Sequence, residues 1–136
     1  MPMSVMWTAA NVIERKTGKP LFAPYAVKEF EGVKVAFIGV TLRATPLILS
    51  ARVVEGLEFR DEADSVNALV PELKQRGIEA IVVLMHQGGR TRGRYNECVG
   101  LTGPVINLVE RMDPAVDLVV SAHTHQAYIC TLSGRL

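Results

Sequence analysis

The chain has 136 residues, of which 49% are hydrophobic and 21% are charged, and its formal net charge is +1. This composition is ordinary for a globular protein, and the length suits one domain with a hydrophobic core. Because the net charge is near zero and no apolar run approaches the roughly 18 residues of a transmembrane helix, we expect one domain over residues 1–136 that binds neither nucleic acid nor a membrane. The first residues lack a basic region followed by an apolar run, so no signal peptide is expected there.

The amino-terminal part of the sequence predicts strands separated by turns. Three strands are expected, over residues 5–12, 24–30 and 33–40. A polar turn covers residues 14–20, and Glu31-Gly32 is a hairpin-type pair between the second and third strands. Residues 41–55 contain Pro46 and show no clean hydrophobic period, which indicates a long irregular loop.

An amphipathic helix is predicted to begin after Asp61. Asp61 is a suitable N-cap, and Asp64 three residues later resembles the second member of a capping box. The apolar face of this helix consists of Val66, Leu69, Val70 and Leu73. Gly77 is the expected stop, and Pro71 inside the helix is expected to kink it.

The remaining sequence predicts strands that alternate with a second helix. The strands cover residues 79–85, 116–121 and 127–132. The helix begins at Pro104, ends before Pro114 and buries Val105, Leu108, Val109 and Met112. This alternation, with Val- and Ile-rich strands, indicates an α/β fold with a mostly parallel sheet, right-handed crossovers and one β-hairpin.

All three histidines follow predicted strands. His86 comes directly after the strand over residues 79–85, and His123 and His125 follow the strand over residues 116–121. Ligands bind beyond the carboxyl ends of parallel strands, and imidazole is the commonest metal ligand among side chains. The three histidines therefore predict one metal centre. Structural, hydrogen-bonded histidines are the other interpretation, because the spacing matches no closed zinc pattern.

The loop after His86 carries arginines among glycines, at Arg90, Arg92 and Arg94. A guanidinium group is suited to bidentate contact with phosphate oxygens, so Arg90 and Arg92 are candidate phosphate-binding residues. The segment does not match the Walker pattern. A solvated loop without a ligand is the alternative. Trp7 and Tyr25 are expected in the core, and stacking on a substrate is the alternative.

Several segments of the sequence resemble a known family. "IVVLMHQGG" and "GPVINLVERMDPAVDLVVSAHTHQAYIC", preceded by "TAANV", "GKPLFAPYAV" and "GVKVAFIGVT", are similar to the carboxyl-terminal half of the catalytic domain of 5'-nucleotidases and 2',3'-cyclic-nucleotide phosphodiesterases. These enzymes are calcineurin-like metallophosphoesterases, and the resemblance covers about residues 5–135. It implies part of an αββα sandwich, a nucleotide substrate, two divalent ions such as zinc or manganese in the whole protein, and a periplasmic or secreted location.

The resemblance also assigns roles to the histidines. It implies that His86 and His123 ligate one metal and that His125 ligates the other. Asn11, at the end of the first strand, resembles a residue that lines the catalytic face, or else it is an ordinary turn residue. The family glycine before the first histidine of the pair is Ala122 here, which is compatible with the loop if its φ is negative.

The resemblance breaks down at the remaining ligands. The Asp-x-His, bridging Asp and Gly-Asn-His-Glu/Asp blocks of the family are absent from this sequence. Without these carboxylates and the general-acid histidine, we expect the chain alone to hold at most one weakly bound ion and to be inactive. A non-catalytic α/β module for binding or interaction is the alternative, and a flavodoxin-like ligand binder ranks below it.

The two cysteines, Cys98 and Cys130, occupy positions where the resemblance implies cysteines. We expect a disulfide between them, which would favour an extracytoplasmic compartment. Two unrelated thiols are the alternative. Because the missing half supplies strands of the sandwich, an apolar sheet surface is expected to be uncovered, and self-association as a homo-oligomer would hide it.

Overall fold

The computed structural model of the chain describes residues 6–136. In chain order the elements are β1 (Val12–Glu14), β2 (Lys19–Pro20), β3 (Tyr25–Phe30), β4 (Val33–Val40), α1 (Thr45–Ile48), β5 (Leu57–Phe59), α2 (Glu62–Gln75), β6 (Ala80–Met85), α3 (Pro104–Arg111) and β7 (Leu118–Ser121). None of the helices in the described residues has the length and apolar character needed to cross a membrane.

The main sheet has four strands in the order β3–β4–β6–β7. β3 and β4 form an antiparallel hairpin, whose turn residues Glu31 and Gly32 have φ values of 50° and 85°. β4, β6 and β7 are parallel, and α2 and α3 lie in the connections between them. The predicted α/β fold with a mostly parallel sheet and one hairpin is confirmed.

A small antiparallel sheet, in the order β2–β1–β5, lies beside the main sheet. The buried side chain of Asn11 joins the two. Its amide nitrogen donates to the carbonyl oxygens of Thr41 (2.7 Å) and Arg60 (3.0 Å), and its carbonyl oxygen accepts from the backbone N–H of Thr41 (2.9 Å). Thr41 follows β4 and Arg60 follows β5, so Asn11 holds the ends of these two strands together.

Helix α2 begins as the sequence predicts. The Asp61 carboxylate accepts a hydrogen bond from the backbone N–H of Asp64 at 3.0 Å, and the left-handed Gly77 lies just beyond the carboxyl end. The helix continues through Pro71 as one element, with that residue exposed. The guanidinium group of Arg111, the last residue of α3, donates to the carboxylates of Asp61 and Asp64, each at 2.7 Å. The start of α2 is thereby joined to the end of α3.

The core lies between the main sheet and the two long helices. Side chains alternate across a strand, so one face of each strand turns toward the helices. The buried residues of that face are Ala36, Ile38, Val40, Ile81, Val83 and Met85. They pack with Val66, Val70 and Leu73 of α2 and with Val105, Leu108 and Val109 of α3.

The opposite face of the main sheet is apolar and partly uncovered. This surface, called here the open face, consists of Val35, Phe37, Val82, Leu84, Leu118 and Val120. Leu84 is 41% exposed and Val120 is 49% exposed. The chain near Thr8 crosses the sheet at Gly39, where a Cβ atom would approach the Thr8 hydroxyl to 2.2 Å. That crossing covers only one end of the open face.

The predictions of two strands and of one core residue are wrong. The first predicted strand begins at Val5, which lies outside the described residues. Before β1, only Thr8 of this segment pairs with another strand-like residue, in an isolated bridge. The chain turns at Asn11, because the Asn11 side chain bonds to other segments. Residues 127–132 form no strand, since the backbone of Val119 in β7 pairs instead with Leu136. Trp7 is 73% exposed and does not contribute to the core.

Candidate metal centre

His86 and His123 lie side by side at the carboxyl ends of two neighbouring strands. β6 and β7 are parallel, and their register pairs Met85 with Ser121, so the chain leaves both strands at the same edge of the sheet. The Nε2 atom of His86 lies 3.3 Å from the Nδ1 atom of His123, and the ring centroids are 5.1 Å apart. The predicted convergence is confirmed for these two histidines.

The distance between the two nitrogens is compatible with a shared metal ion. Two nitrogens bound to one tetrahedral zinc ion at their usual bond length lie about 3.3–3.4 Å apart. A neutral imidazole has one N–H and one nitrogen lone pair. The two facing nitrogens therefore either share one hydrogen bond or direct two lone pairs at an ion. Both side chains are exposed, which leaves room for further ligands.

His125 is not part of this pair. Across residues 6–136, no group of three or more histidine, cysteine, aspartate or glutamate side chains is placed to hold an ion. The structure thus brings together two of the three predicted ligands, and the metal roles of His86, His123 and His125 stay predictions. Two imidazoles form part of a coordination shell, and a stable site needs additional ligands.

The loop after β7 has a strained backbone that neighbouring hydrogen bonds hold in place. His123 and His125 have φ values of 74° and 53°, in the left-handed region, which costs non-glycine residues about 1–3 kcal/mol each. Between them, the Thr124 hydroxyl donates to the carbonyl oxygen of Gly89 at 2.7 Å, and its backbone N–H donates to the carbonyl oxygen of Ala122 at 3.0 Å. Ala122 is outside the left-handed region, as its side chain requires.

Gly88 allows the two histidine loops to touch. A Cβ atom at this position would come within 2.3 Å of the carbonyl oxygen of Ala122 and within 2.7 Å of the Thr124 hydroxyl. Real Cβ atoms do not approach a backbone oxygen so closely, so any larger residue would push the loops apart. The close packing of the two loops therefore requires glycine at position 88.

Tyr128 and the disulfide fix the segment that follows the histidines. The Tyr128 hydroxyl accepts from the backbone N–H of Gly89 at 3.0 Å and bonds with the Ser121 hydroxyl at 2.7 Å. Cys98 and Cys130 form a disulfide. The sequence carries no local signal for the bond between Tyr128 and Gly89, because the two residues are 39 positions apart along the chain.

The two candidate phosphate-binding residues lie on an exposed segment after the glycine pair. Arg90 pairs with Thr102 through two backbone hydrogen bonds of 2.9 Å, and the side chains of Arg90 and Arg92 are exposed. Phosphate binding by Arg90 and Arg92 stays a prediction. Asn11 has the structural role described above, since all its hydrogen bonds are made within the fold.

Comparisons with known proteins give relatives over most of the chain, although no family model matches it. Endonuclease YhcR of Bacillus subtilis is 34% identical over 127 residues, which is 93% of this chain and 10% of that protein. Cell wall protein Lmo0130 of Listeria monocytogenes is 35% identical, over 87% of this chain and 16% of that protein. The 5'-nucleotidase of Vibrio cholerae is 30% identical, over 87% of this chain and 21% of that protein.

A solved structure of a 5'-nucleotidase precursor is also similar to this chain. The 5'-nucleotidase precursor of Thermus thermophilus is 32% identical and superimposes with a TM-score of 0.66 over 88% of this chain and 21% of its own. The chain belongs to the 5'-nucleotidase and 2',3'-cyclic-nucleotide phosphodiesterase family.

The fold agrees with this family. The calcineurin-like phosphoesterase YfkN of Bacillus subtilis, at 24% identity, superimposes with a TM-score of 0.70 over 90% of this chain and 38% of its own. The fold is therefore that of calcineurin-like phosphoesterases and 5'-nucleotidases. The chain spans 10–21% of the length of the three curated relatives named above, so it corresponds to a segment of such proteins.

Proposed function

We propose that this chain is part of a metal-dependent phosphoesterase that hydrolyses nucleotides, and that the chain alone is inactive. The observation that carries the proposal is the pair of imidazole nitrogens, 3.3 Å apart, at the carboxyl ends of two parallel strands. Membership of a family with 5'-nucleotidases and a cyclic-nucleotide phosphodiesterase supports hydrolysis of a nucleotide phosphoester.

The residues present fit one part of a metal site. His86 and His123 would hold one divalent ion, of the zinc or manganese type, and the family resemblance assigns His125 to a second ion. Such ions supply a bound water as the nucleophile and neutralise charge on the phosphoryl group. The carboxylates that would complete the two-metal site are absent from this sequence. The rest of the coordination shell would come from a longer protein, and for this reason the chain by itself is expected to be inactive.

We further propose an extracytoplasmic location for the protein. The disulfide between Cys98 and Cys130 would persist in an oxidising compartment and is rare in the cytosol. One relative of the chain is a cell wall protein, which supports a location outside the cytoplasm.

Metal binding by the purified chain tests the proposal. Competition with a chromophoric chelator should show one weakly bound zinc or manganese ion for each chain. His86→Ala or His123→Ala should weaken binding by at least about tenfold, because each removes one of two close ligands. His125→Ala is the matched control, and its effect should be several times smaller.

The same preparations should show no metal-dependent turnover of nucleotides or of a chromogenic phosphodiester. Equal affinities for the wild-type chain and the His86 and His123 variants would refute the metal site. Turnover that needs metal and disappears in His123→Ala would instead show that the chain carries a complete active site, which would contradict its proposed inactivity.

A further inference from the structure

Three arginines lie within five residues of chain, on the segment that follows the glycine pair after His86. Arg90, Arg92 and Arg94 are exposed, whereas Thr91 and Gly93 between them are half-buried. Residues two apart along a chain have Cα atoms at most about 7 Å apart. Three exposed guanidinium groups are thus close together along a short stretch of chain that bends at Arg92 and Gly93. We call this segment, residues 90–94, the arginine row.

The fold holds the arginine row in place at several points. The backbone N–H groups of Arg90 and Arg92 donate to the carbonyl oxygens of Thr102 and Val99, each at 2.9 Å. The backbone N–H of Arg94 donates to the Glu97 carboxylate at 2.8 Å. Cys98, four residues after Arg94, is bonded to Cys130 by the disulfide. Little conformational entropy of the backbone remains to be lost when the row binds a ligand.

The guanidinium groups of the row have no carboxylate partner within the described residues. The ion pairs found between residues 6 and 136 involve other basic side chains, and the nearby Glu97 contacts the backbone of Arg94 rather than a guanidinium group. Three positive charges are thus concentrated on a chain whose net charge is +1. A local potential of this kind attracts anions even though the whole molecule does not.

The row starts at the edge of the histidine site. Arg90 is four residues from His86, so their Cα atoms lie at most about 14 Å apart. Gly89, immediately before the row, accepts the hydrogen bond of Thr124, which lies between the other two histidines. An extended ligand whose reacting phosphate lies at the histidine pair would therefore have its neighbouring groups near the row.

We propose that the arginine row binds additional phosphate groups of the substrate, so that ligands with more than one phosphate are preferred over nucleoside monophosphates. This inference rests on the proposed function, because it takes the histidine pair as the place of the reacting phosphate. A nucleoside triphosphate and a short oligonucleotide share the required chemistry, namely several closely spaced phosphates. Guanidinium groups are suited to such groups through charge-assisted, bidentate hydrogen bonds.

Binding of fluorescent ligands to the whole chain, measured by anisotropy in the presence of a metal chelator, tests this proposal separately from metal binding and turnover. The probes are a nucleoside monophosphate, the matching triphosphate and a short single-stranded oligonucleotide. The triphosphate, the oligonucleotide or both should bind at least about tenfold more tightly than the monophosphate, and the tighter of the two identifies the source of the phosphates. Replacing all three arginines by glutamine should remove this preference and lower the salt dependence of oligonucleotide binding by a slope of about 2.

The matched control replaces Lys16, Lys34 and Arg52, three exposed basic residues elsewhere, by glutamine and removes the same charge. It should change the affinities by less than about twofold. Equal losses in the two triple variants would show that only net charge matters, and equal affinity of the wild-type chain for all three probes would also overturn the proposal. Circular dichroism and thermal unfolding of each variant show whether it is folded, and a row variant that unfolds is replaced by the single variants Arg90→Gln and Arg92→Gln.

Discussion

At the scale of single residues, the candidate site depends on one missing side chain. Gly88 lies where the loop after β6 meets the loop after β7, and the carbonyl oxygen of Ala122 occupies the space that a Cβ atom would need. The side chains of His86 and His123 are exposed, so surrounding side chains do not enclose them. Their 3.3 Å separation is therefore set mainly by how closely the two backbones approach.

We expect Gly88→Ala to separate these loops. The inserted methyl group should lower the free energy of unfolding by roughly 1–3 kcal/mol, as overpacking usually does, and weaken metal binding by the histidine pair. Chemical denaturation and chelator competition measure the two effects. Gly18→Ala is the control, because Gly18 is left-handed but has nothing within 4 Å of the position that a Cβ atom would take, so it should cost stability without changing metal affinity. Unchanged metal affinity in Gly88→Ala would contradict this account.

The sequence predicts some of these residues and not others. His86 and His123 are predictable because each follows a Val- and Leu-rich strand, and parallel strands end at a common edge. The contacts of Gly88 with Ala122, of Thr124 with Gly89 and of Tyr128 with Gly89 are not predictable, since each joins two segments distant in sequence and no local pattern marks it. The left-handed conformations of His123 and His125 are not predictable either, because positive φ is uncommon for any non-glycine residue, even though histidine adopts it more often than most.

At the scale of elements, the helices are easier to predict than the strands. α2 and α3 have N-terminal signals in Asp61 and Pro104 and apolar residues at helical spacing, and both signals act within the helix itself. Residues 127–132 have the apolar character of a strand, but Tyr128 and Cys130 are held by contacts to distant loops. These tertiary contacts override local preference, and the backbone of Val119 in β7 pairs with Leu136, so no strand forms there.

The contact between the two helices should make stability depend on pH. The Arg111 guanidinium group lowers the pKa of Asp61, and the backbone N–H of Asp64 lowers it further. Because the folded pKa lies below the unfolded value, Asp61 contributes stability that is fully present above the unfolded pKa, near 4, and is lost as the pH falls through the folded pKa. Asp61→Asn keeps a good N-cap and removes the charge, so it isolates this effect.

We expect Asp61→Asn to lower the free energy of unfolding at pH 7 by about 1 kcal/mol, with the difference from wild type shrinking as the pH falls below 4. Denaturant unfolding at a series of pH values measures this. Glu58→Gln is the control, because the Glu58–Arg60 pair is exposed to solvent and should contribute little. A stability difference between Asp61→Asn and wild type that does not change with pH would exclude the electrostatic explanation.

At the scale of the whole molecule, the open face is an apolar surface that is only partly covered. Leu84 and Val120 present apolar groups to solvent on neighbouring strands, and only the crossing near Thr8 covers one end of the sheet. The family resemblance predicts such a surface, because it implies strands that this sequence does not contain. The relatives are several times longer than this chain, so in a longer protein other segments are available to cover it.

For the isolated chain we expect self-association through the open face. A symmetric dimer that brings two such faces together would hide the exposed apolar groups. Sedimentation at low micromolar concentration should therefore show dimers, and Leu84→Glu combined with Val120→Lys should shift the chain toward monomers. Leu47→Glu is the control, because Leu47 is 88% exposed on α1 and lies outside the open face. A wild-type chain that is fully monomeric under these conditions would show that the face needs no cover.

The disulfide closes a covalent ring over residues 98–130 that includes α3, β7 and the loop of His123 and His125. A protease that cuts one peptide bond inside this ring, for instance after Arg111, produces two pieces that stay bonded to each other. The chain would keep its original mass on a gel run without reductant, apart from one added water, and would separate into two bands when a thiol is added. A nick of this kind therefore does not release the second histidine loop from the first, and a preparation that looks intact before reduction can already have been cut.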